Sequence, residues 1–389
     1  MNSTDNLLSP SEGAATAAQP QVQTTPPVQI WAFFGAVMLL LVLYLLFQWT
    51  TGPYFTPVPT GVTEVPMYMQ IFLGANAAVL AAGLPFAIWY FWIKPWREER
   101  RITLDGMLMI ALNLLVFIDP MLNYTNTWCL YNAWPWNMGA WTPYVPGWLS
   151  PDEPGAMVPE PLINNFVGYG YGNLLTIMLG CWFMGKVKAR WPTMSNLRLI
   201  GCMFVYAYIF DFVMEGLVLL PFGLYTYPGA IQSLSMNAGT YYQYPLYEGL
   251  MWGGVMTIIC SLRYFTDSQG RTIVERGLEK VGGGFVRQQV TRFLAINAAV
   301  SGAFIVGYMI PAQWLGTHAD PWPEDIQKRS YFMSGICGEG TDKACPHPSL
   351  PIVTKHSGYI NTEGKLILPE GFEMPRVVPL ERSDRSSDQ

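Results

Sequence analysis

Charge is scarce in this chain, and its scarcity is patterned. Asp, Glu, Lys and Arg make up 13% of the residues and hydrophobic ones 51%, whereas an average soluble domain is about a quarter charged. Lys and Arg are missing from the loops 50–66, 122–161 and 222–241. None precedes Val28, so the first apolar run lacks the basic flank of a cleaved signal. No basic stripe interleaved with aromatics occurs, and the net charge is −5 with a pI near 5.3, which argues against a nucleic-acid partner. No internal repeat is visible. Gly282-Gly283-Gly284 precedes no P-loop lysine, and no nucleophile elbow, Rossmann fingerprint or haem-attachment motif is present. His318-Ala-Asp320 with Glu324 matches no strong ligand signature. The expectation is therefore no metal and no redox cofactor.

What the chain has in quantity is apolar length. Seven stretches are each about 18–27 residues, long enough to cross a bilayer, near 28–49, 67–93, 104–121, 162–186, 197–221, 242–262 and 291–311. Basic residues fill the alternate loops: Lys94, Arg97, Arg100 and Arg101; Lys188 and Arg190; Arg263, Arg271, Arg276, Lys280 and Arg287. The positive-inside rule puts those loops in the cytoplasm. The reading is an all-α polytopic protein of the plasma membrane, with the N-terminus cytoplasmic and the C-terminus extracytoplasmic. Residues 1–27, without aromatics, read as a disordered tail. Residues 28–311 form the transmembrane domain, and 312–389 an extracytoplasmic cap and tail.

Four carboxylates interrupt the apolar runs: Asp119, Asp211, Glu215 and Glu248. Each costs roughly 2.5–3.5 kcal/mol on insertion scales, and the topology puts all four in the outer half of the membrane. Asp211 and Glu215 are i, i+4 on one helix face, joined by Tyr208. Tyr244, Glu248 and Trp252 form a second stripe, and Asp119 with Asn123 a third if the helix passes Pro120. Asn165, Tyr169, Asn173 and Thr176 share a face of the fourth span, and Asn297, Ser301 and Tyr308 one of the seventh. Lipid satisfies none of these groups, so the economical arrangement points them into one cavity. Adjacent carboxylates in a low dielectric cannot both ionise cheaply, and one keeps its proton. That pairing suits general acid–base chemistry, including chemistry through oxocarbenium-like cations. Asp211 and Glu215 are the expected acid–base pair, with Glu248 and Asp119 in support. Tyr208, Tyr244, Trp252, Asn123, Tyr169, Asn297 and Tyr308 are expected to shape the binding cavity. The bland alternative is that the acids only fasten helices together through Tyr, Asn and Trp. Asp105, near Arg101, reads as a helix-end charge.

The loop 122–161 carries Trp128, Trp134, Trp136, Trp141 and Trp148. It reads as an interfacial aromatic belt, as a lid over the outer mouth, or as both. The prolines at 120, 221, 245 and 311 are expected to mark helix ends. Cys181, Cys202 and Cys260 read as packing residues within spans. Cys337 and Cys345 flank Gly-Glu-Gly-Thr-Asp-Lys-Ala and are expected to form a disulfide in an oxidising exterior, with Cys129 left unpaired.

Four segments carry a family resemblance: FIDPMLNYTNTWCLYNAWPWNMGAWTPYVPGW (117–148), DFVMEGLVLLPFGLYTYPGA (211–230), GTYYQYPLYEGLMWG (239–253) and HADPWPEDIQKRSYFMSGICGEG (318–340). Over roughly 28–345 the chain resembles the spirocyclase AveC-like family of actinobacterial membrane proteins. The resemblance implies secondary metabolism: the family's namesake closes a dihydroxyketone into a spiroketal in macrolide biosynthesis, and a relative also dehydrates. It carries over no catalytic residues. The expected function is a membrane-embedded acid/base cyclase or dehydratase of a lipophilic polyketide- or terpenoid-like substrate, in contact with membrane lipid and without a cofactor. The rivals are a non-enzymatic lipid or small-molecule carrier, which would show repeats and broken helices at matching positions, and a subunit of an envelope complex.

Overall fold

Apolar runs of this length have one low-cost conformation in lipid, the helix, because it satisfies its own backbone. The computed structural model describes residues 25–151, 158–350, 353–369 and 371–372. Most of the expected N-terminal tail and the end of the C-terminal tail lie outside the described residues. Five helices are long and apolar enough to cross a membrane: α1 (Pro27–Thr51), α2 (Met67–Glu99), α3 (Leu104–Asn123), α5 (Asn196–Leu219) and α7 (Phe285–Gly316). The fourth and sixth expected spans are helical too, but are not among these five. They are α4, built from Ile163–Gly172 and Asn173–Arg190, and α6 (Leu246–Tyr264).

The bundle is arranged around α3, with 72% of its apolar 18-residue stretch buried, against only 11% of the corresponding stretch of α2. α1 packs along α7, α3 lies against α7 and the first part of α4, and α6 lies between α4, α5 and α7. Small residues permit the close crossings. A Cβ on Gly35 would lie 1.8 Å from the Leu294 carbonyl oxygen, so α1 and α7 meet backbone to backbone there. Side chains such as Phe33, Leu40, Ile71, Val79 and Phe86 face outward, as lipid-facing residues do.

Several expected boundaries are corrected. α2 continues through Pro85 and a π-helical turn, Trp89–Ile93, as far as Glu99, so half of the first basic loop is helical. α7 passes Pro311 through a π turn at Ile305–Met309 and ends at Gly316, which shortens the cap. A proline withholds one N–H, and the wider turn absorbs the misfit. Pro120 likewise sits inside a 3₁₀ extension of α3, Asp119–Asn123. Asp105 is paired with Arg263 through two hydrogen bonds of 2.7 and 2.9 Å, while Arg101 takes Glu99. Arg292 meets Glu275 at 2.5 Å in a buried pair.

The Trp-rich loop is neither a simple belt nor a loose lid. Trp128, Trp141 and Trp148 are buried, and Trp134 and Trp136 stay exposed. The Trp141 indole donates to the Phe117 carbonyl at 3.0 Å, fixing the loop to the end of α3. Short strands hold it further: β1 (Leu130–Tyr131) pairs with β4 (Tyr225–Thr226), and β2 (Asn137–Gly139) with β3 (Pro159–Pro161). Beyond α7, Cys337 and Cys345 form a disulfide with Cα atoms 5.0 Å apart, and Cys129 is a buried free thiol.

Candidate functional site: two buried carboxylate centres

The first centre joins three of the four anticipated acids. Asp211 ends the regular part of α5, Glu215 stands on its π-helical extension, and Glu248 lies in the first turn of α6. One ligand oxygen from each lies within 4.8 Å of the others. The Tyr244 hydroxyl donates to Asp211 Oδ2 at 2.8 Å, and the Tyr227 hydroxyl to Glu215 Oε2 at 2.9 Å. Glu248 is 1% exposed, and its Oε2 has no partner. Trp252 packs its ring on Phe304 and Tyr308 with centroids 6.1 and 5.9 Å away. The Tyr308 hydroxyl accepts the Trp128 indole N–H at 3.3 Å.

Asp119 does not join this group. It stands at a second centre with Glu160, which sequence reasoning missed. Tyr131 donates to Asp119 Oδ2 at 2.9 Å, and Tyr169 donates to Oδ1. Glu160 is fully buried on β3; Asn165 donates to its Oε2 at 2.8 Å, and its Oε1 has no partner. Burial first, and then the charge of Asp119, pushes the Glu160 carboxyl well above the usual carboxylate range, against the opposing Asn165 bond. Cys129 is adjacent to both centres. Its thiol is raised by burial and then by the charges of Asp119, Glu215, Glu160 and Glu248, which keeps it neutral. Tyr131, Tyr225 and Tyr227 link the centres by edge-to-face contacts of 5.6 and 5.7 Å. Their phenols are also raised, by burial first, and remain proton donors.

None of these five carboxylates pairs with Lys, Arg or His among the described residues. Asp211, Glu215 and Glu248 have the spacing of hard-cation ligands. They equally have the spacing of carboxyl groups that share protons.

Of the anticipated lining residues, Tyr208 packs at the edge of the first centre, and Asn123 and Asn297 make bonds of their own. The Tyr208 ring lies against α6, 3.1 Å from where a Cβ on Gly249 would be. The same point is 2.3 Å from the Tyr244 hydroxyl, so Tyr208 packs beside the tyrosine that holds Asp211. Asn123 organises its own turn, donating to the Cys129 carbonyl at 2.9 Å and accepting the Trp128 and Cys129 amides. Asn297 donates to the Gly35 carbonyl at 3.2 Å and fastens α7 to α1.

The expected open cavity among the acids is also corrected. Close-packed rings leave a void of only about 10 Å³ beside Asp211, Trp252 and Thr176, at the lower limit for one water. A cavity of about 500 Å³ lies instead under the cap, with Asn126, Thr127, Gly229 and Trp322 in its wall.

The tyrosines were legible only in part. Tyr225 and Tyr227 alternate as strand residues do, a signal hidden in an otherwise irregular loop. Glu160 sits between two prolines in a loop, where an acid reads as solvated.

Comparison with known proteins agrees with the family resemblance but over a shorter stretch. No curated protein and no solved structure matches the chain. The family described as spirocyclase AveC-like matches residues 99–332, more than half of the 389 residues. The match includes all five carboxylates of the two centres and excludes α1, most of α2 and the disulfide. The chain belongs to the spirocyclase AveC-like family.

Proposed function

We propose that this protein is an integral membrane cyclase or dehydratase of secondary metabolism. Its substrate is a lipophilic polyketide- or terpenoid-like molecule, and its chemistry is acid–base without metal or redox cofactor. The observation that carries this reading is the Asp211–Glu215–Glu248 group, three carboxyls within 4.8 Å that no Lys, Arg or His pairs with among the described residues. Family membership supports the chemistry class. All seven helices span the plasma membrane in this reading, with the carboxylates in the extracytoplasmic half.

For spiroketal closure the steps balance as follows. One substrate hydroxyl adds to the ketone and gives a hemiketal. A protonated carboxyl of the group gives its proton to the hemiketal hydroxyl; the C–O bond breaks, and water leaves. The oxocarbenium ion faces carboxylates and the π faces of Tyr244 and Trp252, which stabilise positive charge. A neighbouring carboxylate takes the proton of the second hydroxyl as its oxygen attacks. One water is lost, and the proton returns to the carboxyl group. Glu215 and Asp211 are the acid–base pair in this scheme. Tyr244 and Tyr227 orient them, and Glu248 supports them.

The test is turnover of a linear dihydroxyketone with terminal hydroxyls by purified protein at neutral pH, read as enantiomeric excess of the spiroketal, since the spontaneous reaction gives a racemate. Asp211→Asn and Glu215→Gln should each lower the rate by about 10²–10⁴, the range for general acid–base groups. The double variant should be little worse than the worse single one, because residues acting as a unit are not additive. EDTA should leave turnover unchanged. Normal turnover by both amide variants would sink the assignment.

A further inference from the structure

The carboxylate centre is closed, yet a chamber adjoins it. We propose that the cavity of about 500 Å³ under the cap binds the substrate before it reaches the carboxylates, and that its ligand is a hydroxyl- and carbonyl-bearing lipophile. This rests on the reading of the carboxylates as an acid–base centre.

Three observations carry it. The first is size and lining. About 300–1,000 Å³ is usual for a small-molecule site, with mostly apolar walls and a few placed polar groups. Here Trp322, Ile336 and Val353 supply apolar wall, Thr127 and Ser357 supply hydroxyl groups, and Lys343, Lys355, His347 and His356 add polar and charged wall. Such groups match ketone and hydroxyl oxygens. The Asn126 side-chain oxygen is itself covered, facing Gly316 at the end of α7. Asp320 is already engaged, accepting the Gln232 amide at 2.7 Å.

The second is the floor. Thr127 and Gly229 form it, and the residues beside them in sequence belong to the carboxylate centre. Trp128 packs at a tilt against Tyr227 with centroids 5.5 Å apart and donates to Tyr308, and Tyr227 holds Glu215. One layer of side chains therefore separates chamber and acids. Gly229 keeps this layer thin, since a Cβ there would lie 3.1 Å from the Thr127 carbonyl oxygen and 3.4 Å from Ala319.

The third is the division of the walls. The floor lies within the family-matched residues 99–332, whereas the wall from Ile336 to Tyr359 lies beyond them. In this reading the floor, next to the acids, belongs to the family-matched part of the chain, and the cap wall contributes to the choice of ligand.

The experiment uses the full chain in lipid nanodiscs and the same linear dihydroxyketone as probe. Ser357→Cys places a thiol in the exposed part of the wall, and Gln269→Cys a control thiol in a distant exposed loop. The probe should slow maleimide labelling of Ser357→Cys about tenfold at roughly ten times its dissociation constant, and leave Gln269→Cys unchanged. Protection should persist when Glu215→Gln is added, although turnover is lost. Ala319→Trp should abolish protection; if it lowers thermal stability, Thr317→Phe at an exposed wall position makes the same block. Turnover without protection overturns the chamber and leaves the acid–base centre standing. Protection without turnover in the otherwise unaltered protein supports the chamber and overturns the acid–base reading. Absence of both overturns both.

Discussion

Glu160 is buried with one amide donor and no cation, an arrangement that costs stability when the group is charged. Its pH signature follows from linkage. Burial raises the folded-state carboxyl above its unfolded value. Below the unfolded value both states hold the proton, and the group contributes no pH dependence. As pH rises past that value the unfolded chain releases its proton first, so the unfolded state is favoured until the folded carboxyl titrates. Glu160→Gln should therefore raise thermal stability in detergent near about pH 8 and change it little near about pH 4. A loss of stability at the higher pH would mean that the carboxylate, not the acid, is what Asn165 and its neighbours hold. The anticipated Asp211, Glu215 and Glu248 were legible because a charge inside an apolar run has no inexpensive explanation. Glu160 was not, because the sequence does not say that a proline-flanked loop folds back into the bundle.

At the scale of the elements, glycine positions decide how closely the helices approach. The Gly35 backbone meets the Leu294 carbonyl, whereas nothing lies within 4 Å of a Cβ on Gly302 in α7. Gly35→Ala should therefore lower stability by about 1–3 kcal/mol, as overpacking does, and Gly302→Ala should not. Thermal unfolding of the two variants in one detergent makes the comparison, and equal melting points would mean that α1 is not held as described. The same crossing explains Asn297, whose donation to the Gly35 carbonyl is a clasp and not part of a site. Helix positions were legible from apolar length alone. Helix phase was not, because π turns at Ile163–Gly172, Phe212–Leu219 and Ile305–Met309 shift the faces that a regular period predicts. Those three stretches carry Asn165, Tyr169, Glu215 and Tyr308, so phase was least readable where the chemistry is. Such turns are frequent at functional sites.

For the whole molecule, the two ends of the bundle differ in chemistry, and that difference fixes an expected orientation. One end gathers the pairs Arg263–Asp105 and Arg292–Glu275 with the basic loops 94–103, 187–196 and 263–290. The other carries the buried tryptophans, the chamber and the Cys337–Cys345 disulfide. Basic loops are retained in the cytoplasm, and a disulfide persists in an oxidising exterior; the two rules point the same way. In intact cells, then, a thiol introduced as Gln269→Cys or Arg97→Cys should be shielded from an impermeant maleimide. One introduced as Ser235→Cys or Thr341→Cys should be labelled. Permeabilising the cells should expose the first pair and leave the second unchanged. Reduction should also alter the mobility of the mature protein, and Cys345→Ser should remove that shift. Shielding of Ser235→Cys with labelling of Gln269→Cys would place the chamber in the cytoplasm. The substrate would then have to arrive from inside the cell, and the extracytoplasmic placement of the carboxylates would be lost.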